Sequence, residues 1–287
     1  MVLIGILVAL VLERLLGRYS GWGRPVIFLR IMSLVRSLLP RAIWQSPVLP
    51  LLAIALPAAA AHWLCGLFLN PLLNLAASAG VLLLCLGPRD LAEDVRDLLA
   101  AREAGDLARA QRIVRNLQRG PQPDQSHRSL MGTLFIQSHE KLFGVLLWYF
   151  VAGPAGAVAY RVATRLPRLL AETAAGSSAQ FTAEALHGLL AFVPARITAV
   201  LYGLAGSLDD ALIEYRRLRA EAQHGWRSHT WALLAEIATA SLRSEDDAGQ
   251  AQAPDLNTAL QEVLGMQLRA LMILLALFAI FATGSMF

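Results

Sequence analysis

The sequence predicts an all-α integral membrane protein: one polytopic domain over residues 1–287, with about six membrane segments, some broken or partly re-entrant. Three observations predict it. The chain is 56% hydrophobic and only 16% charged, with a mean hydropathy of +0.51, whereas a soluble domain carries about 25% charged residues. Ala42 to Pro88 runs 47 residues without a formal charge, too long for one span and right for two. The basic residues are also distributed unevenly among the polar segments, in the way that sets membrane topology.

Met1 to Leu16 is the first span, its charged end at Glu13 and Arg14 reaching the interface. No basic residue precedes the apolar run and no small-residue cleavage site follows it, which argues against a signal peptide. Residues 17–46 form a basic, aromatic segment. Its apolar positions Ile27, Ile31, Leu34, Val35 and Leu38 recur at helical spacing around Arg30 and Arg36, as in a helix lying in the membrane interface. In the uncharged stretch, Asn70-Pro71 marks a turn between spans near Val48–Leu69 and Leu72–Leu86.

Residues 89–141 are polar. Leu91, Val95, Leu98 and Leu99 line one helical face, and Leu107, Ile113, Val114 and Leu117 another. Between them, Gly105-Asp106 fits a terminating glycine followed by a capping aspartate. Gly120–Ser129 is a loop, and a new helix from Leu130 leads into the span Leu142–Tyr160, which holds Gly153-Pro154. Leu166–Glu184 is a polar connection. Residues 209–265 are polar and largely helical with an acidic loop, SEDDAGQAQAPD, and Ala270–Phe287 is the last span.

Six spans place residues 17–46, 89–141 and 209–265 on one side, with 19 basic residues. The opposite side has three: Arg161, Arg165 and Arg168. The expected location is therefore a bacterial inner membrane, with the three large helical segments in the cytoplasm. This topogenic use of charge also accounts for the net charge of +4, so a nucleic-acid partner is not expected.

Ala185 to Leu208 is nearly all apolar, yet Arg196 stands at its centre, two residues after Pro194. A guanidinium at mid-bilayer costs at least about 3 kcal/mol, so it normally faces protein or trapped water. Pro194 removes a backbone donor and tends to open the helix beside the charge. Arg196 is thus read as part of an internal polar site, with Glu13 or a carbonyl as the simpler structural partner. Lys141 is the sole lysine and has no phosphate-binding loop before it. CxxC, HExxH and GxSxG patterns are all absent. Cys65 and Cys85 both lie in apolar stretches, so they suggest neither a disulfide framework nor a metal site. No cofactor and no metal are expected. Glu140 and Lys141, after His139 at the membrane entrance, are the one compact charged spot.

Two runs resemble a known family. SHEKLFGVLLWYFVAGPAGAVAYRV resembles the fourth-span signature of the AmpE family, inner-membrane accessory proteins tied to β-lactamase regulation and cell-wall recycling. LLAFVPARITAVLYGLAGSLDDAL is similar to that family's second signature. AmpE proteins in turn look related to the CobD/CbiB proteins, membrane enzymes of cobalamin assembly that join an aminopropanol arm to a corrinoid acid. Those share a GAxAYR-like segment, here Gly156 to Arg161, and the PAR triplet, here Pro194-Ala195-Arg196. The likeness covers most of the chain. It departs where the enzymes carry AEN-x-x-DG (here residues 137–144, QSHEKLFG), an NTLDSM-type run (here ATRLPRLL) and a paired aspartate before the triplet (here AEALHGLLAF).

The resemblance implies a non-enzymatic or enzymatically degenerate AmpE-type accessory protein that senses or binds an anionic small-molecule ligand, with the lipid bilayer and a second copy as partners. Its ligand site would draw on Arg196, Arg161, Glu140, Lys141, Glu13 and His139. A straight helix would hold Glu140 and Arg161 about 30 Å apart, so the site requires the fourth span to break at Gly153-Pro154 and fold back. The alternative is an adenosylcobinamide-phosphate synthase of the CobD/CbiB type, which would bind ATP and a corrinoid. A small-solute transporter would show inverted repeats, and none is found in the chain.

Overall fold

The computed structural model describes residues 2–16, 26–38, 40–86, 91–117, 127–220, 226–242 and 256–284. The acidic loop and most of the Gly120–Ser129 loop lie outside these residues. Among them every regular element is helical, as the apolar composition requires of a chain in lipid: a helix satisfies its own backbone. Four helical stretches are long and apolar enough to cross a membrane: Val48–Gly66, Arg128–Thr173, Ser178–Ala205 and Asn257–Ala282. Pro71–Leu86 is a shorter apolar helix, and α1 (Val2–Leu16) has 15 residues. Contacts divide the chain into two compact units, each built from two separate stretches.

The first unit comprises Met1–Asp90 and Glu140–Pro194. It holds α1, α2 (Val26–Leu38), α3 (Arg41–Trp44), α4 (Val48–Gly66) and α5 (Pro71–Leu86). Asn70 starts α5 as expected: its Oδ1 accepts the Leu72 N–H at 2.9 Å, and Pro71 fills the first helical position. Met32, Trp44, Leu49, Ala53, Leu166, Leu170, Ala174, Ala179 and Ala183 form its apolar core.

α9 (Gly144–Thr173) does not cross the bilayer once. Gly153 has φ 62° and ψ −153°, a conformation open essentially to glycine, and the chain turns back there. The return arm packs on the outgoing arm. A Cβ at Gly144 would fall under 3.0 Å from two Tyr160 ring carbons and its hydroxyl oxygen. A Cβ at Gly156 would likewise fall under 3.0 Å from the Trp148 carbonyl oxygen. Both positions accept only glycine because the two arms touch there. The expected span Leu142–Tyr160 is therefore a re-entrant hairpin. Arg161 lies level with Glu140, which removes it from the opposite-side group used to orient the chain. The expected polar connection Leu166–Glu184 is also corrected: helix continues to Thr173 and resumes at Ser178. Its polar residues are those of helix ends and one short turn. That turn is tied down where Ser178 Oγ and the Ala179 N–H both donate to the Gln45 carbonyl, at 2.7 and 3.1 Å.

The second unit comprises Leu91–His139 and Ala195–Phe287. α6 (Leu91–Glu103) and α7 (Leu107–Leu117) form the expected hairpin. Gly105 takes φ 70°, and Asp106 caps α7 by accepting the Arg109 N–H at 2.9 Å. Leu117 is buried, but Leu107 is exposed, so the apolar face of α7 begins later than its sequence spacing suggested. α8 (His127–Ser138) packs on α12 (Trp226–Ser241) with Gly132 directly against Ala235. α11 (Leu208–Ala220) shares a core with α12 through Ala199, Ala211, Leu218, Ala232, Leu233 and Ile237. α13 (Leu256–Gly284) contains the last span, within the helical stretch Asn257–Ala282. α10 (Ser178–Ala205) gives its first half to one unit and its second half to the other, and runs unbroken through Pro194.

Candidate functional site

The site grows out of a helical irregularity. His139 to Phe143 is one turn of π-helix between α8 and α9. Such a turn inserts an extra residue and re-aims the side chains around it, often at functional sites. Here it turns Glu140 inward: the residue is 4% exposed. In the first unit its Oε1 stands 3.8 Å from Nε2 of His187, which is 1% exposed on α10. Tyr160, fully buried, places its ring centroid 6.3 Å from that of His187. Arg161, half-buried, donates from Nη1 to the Glu140 carbonyl and from Nη2 to the Leu86 carbonyl, each at 3.4 Å. The Trp148 indole N–H donates to the Leu190 carbonyl at 2.9 Å and so braces α9 against the turn of α10 that follows His187.

Carboxylate, imidazole, phenol and guanidinium thus meet at the open end of the α9 hairpin. A charge buried in this setting is tolerated only with partners. The geometry can do two chemical things. The Glu140–His187 pair can take up or release a proton, and the planar Arg161 fork can hold carboxylate or phosphate oxygens.

Of the expected site residues, Glu140 and Arg161 come together through the hairpin. Lys141, the next residue of the same turn, and Glu13 on α1 are both half-buried. His139 and Arg196 belong to the second unit. His139 is 1% exposed, with Nδ1 3.0 Å from Thr198 Oγ1. Beside it, the Tyr202 hydroxyl donates to the Phe135 carbonyl at 3.4 Å, and the two rings stack edge to face. Arg196 is half-exposed. It sits at the border between an exposed stripe, Val193, Ile197 and Val200, and the buried stripe of Ala195, Thr198, Ala199 and Tyr202. His187, Tyr202 and Thr198 were not singled out from sequence. Their only signal is a polar side chain in an apolar helical run. Among the described residues no group of three or more His, Cys, Asp or Glu side chains could hold a metal ion.

A family model described as "CobD/Cbib protein" matches residues 6–246. The chain is 30% identical over 213 residues to the "Cobalamin biosynthesis protein CobD" of Chromobacterium violaceum, covering 69% of this chain and 68% of that protein. It is 31% identical over 174 residues to the protein of the same description from Stutzerimonas stutzeri, covering 59% of this chain and 54% of that protein's length. No solved structure matches. These likenesses overturn the expectation of an AmpE-type accessory protein of β-lactamase regulation. The missing acidic positions had weighed against the enzyme branch. The family match over residues 6–246 and the two CobD relatives outweigh them.

Proposed function

Since the chain belongs to the CobD/CbiB family, we propose that it is an amide-forming membrane enzyme of cobalamin assembly, of the adenosylcobinamide-phosphate synthase type. It would join an aminopropanol-type amine to a corrinoid carboxyl activated by phosphoryl transfer from ATP: the amine nitrogen forms the C–N bond, the acyl–oxygen bond to phosphate breaks, and phosphate leaves. Such a reaction needs a neutral amine, an activated carboxyl and a counter-charge for the oxyanion formed on attack. Glu140 and His187 are suited to hold the incoming ammonium and accept its proton. Arg161 is suited to hold the phosphate or carboxylate oxygens.

One observation supports the reading above others. The last residue of the GAVAYR segment, Arg161, is returned by the Gly153 turn to the glutamate of the SHEKLFG segment. In the region of the AEN-x-x-DG run, here Gln137 to Gly144, Glu140 is the acidic residue and Lys141 follows it. Gly144 is covered by the Tyr160 ring, so in this chain the acid–base work rests on Glu140 and His187. An inner-membrane location, large polar segments on the cytoplasmic side and a homodimer belong to the same proposal. The test is expression in a cobalamin auxotroph that lacks its synthase. Restored growth is expected. A chain that reaches the membrane and does not restore growth would refute the reading.

A further inference from the structure

Apart from the hairpin site, the first unit contains a cavity of about 360 Å³ between α2, α3 and the end of α9, within the size range of small-ligand pockets. Met32, Trp44 and Leu169 make its apolar part, Ser33, Ser37 and Thr173 its hydroxyl edge, and Arg36 is the charged group of the lining. The hydroxyl protons are already directed to backbone. Ser33 Oγ donates to the Arg30 carbonyl and Ser37 Oγ to the Leu34 carbonyl, each at 2.8 Å. Thr173 Oγ1 donates to the Leu169 carbonyl at 2.7 Å and accepts the Trp44 indole N–H at 3.3 Å. The exposed Arg36 guanidinium is therefore the lining donor suited to an anion. The neighbouring charges on α9 satisfy each other: Arg168 lies 3.4 Å from Glu172.

The surroundings say what kind of anion. Leu34 and Leu38 on α2 are 60% and 73% exposed, and Ile43 on α3 is 48% exposed. A basic amphipathic segment with such a face lies at the boundary between headgroups and acyl chains. With that face among the acyl chains, the opposite face of α2, which carries Ser33, Arg36 and Ser37, stands at headgroup level, and Met32, Trp44 and Leu169 give the cavity an apolar wall. We propose that this cavity seats one anionic phospholipid, its phosphate held by the Arg36 fork and its first acyl carbons against Met32, Trp44 and Leu169. The bound lipid would fasten the interfacial helix α2 to the end of α9.

The test is native mass spectrometry of the full-length protein, delipidated in neutral detergent and titrated with phosphatidylglycerol, phosphatidylcholine or inorganic phosphate. The wild type is expected to retain one phosphatidylglycerol in preference to phosphatidylcholine. Arg36→Gln should weaken that retention roughly tenfold or more, the size of one charge-assisted contact. Arg30→Gln, on the same helix but outside the lining, should leave it unchanged. Ser37→Phe keeps the charge and fills the cavity, and should also lose the lipid. Equal retention of both lipids, unchanged retention in Arg36→Gln and Ser37→Phe, or displacement by inorganic phosphate would each overturn the proposal.

Discussion

Gly144→Ala is the sharpest probe of the re-entrant hairpin. The added methyl would lie under 3.0 Å from Cε1, Cζ and Oη of Tyr160. That ring is fully buried, with its neighbour Glu140 4% exposed, so it has little room to retreat. Overpacking of this kind costs about 1–3 kcal/mol. The same substitution at Gly80, on α5, meets no atom within 4 Å. There it should be neutral or stabilise by up to about 1 kcal/mol, through helix propensity alone. Unfolding in a sodium dodecyl sulfate titration from mild detergent reads both. The cost at Gly144 must also depend on the ring, so Tyr160→Leu should relieve most of it in a double-mutant cycle. A straight α9 would hold the two residues about 24 Å apart. If Gly144→Ala behaves like Gly80→Ala, or if Tyr160→Leu brings no relief, the arms do not touch and the fold-back is wrong.

Three further outcomes follow from the same geometry. Gly153→Ala should cost about 1–3 kcal/mol, because φ 62° and ψ −153° are strained for any side chain, and should lower corrinoid-product formation with it. Glu140→Gln and His187→Gln should each reduce kcat by about 10²-fold or more if the pair handles the amine proton, with the loss greater than any change in KM. A matched loss of folded protein would instead mark the pair as structural. Arg161→Lys keeps the charge but not the fork that spans the Glu140 and Leu86 carbonyls. It is expected to raise KM for the phosphate-bearing substrate about tenfold, measured in initial-rate assays.

Much of the architecture was legible because membrane helices obey local rules. Asn70-Pro71 and Gly105-Asp106 signal their turns by side-chain chemistry alone, and the structure has both. Gly153-Pro154 signals a break, but whether the chain then continues or reverses depends on contacts sixteen residues apart, Gly144 on Tyr160. Counting charges on a linear layout therefore put Arg161 on the wrong side of the span. The partner of Glu140 was illegible for a related reason. His187 comes from a different helix, and nothing in AEALHGLLAF distinguishes a packed histidine from a functional one. Arg196 looked central because it is central in its apolar run. Helical periodicity set it instead at the edge of a lipid-facing stripe. Single motif letters do not separate two related branches, whereas the match to the CobD/CbiB family spans residues 6–246.

Purified protein in lipid nanodiscs, supplied with a corrinoid acid, an aminopropanol-type amine and ATP, gives the most direct reading. Mass spectrometry should find the amide-linked corrinoid with the wild type and a deep loss of it with Glu140→Gln. A folded wild type that makes no amide, or a Glu140→Gln variant that makes it at the wild-type rate, would contradict the account.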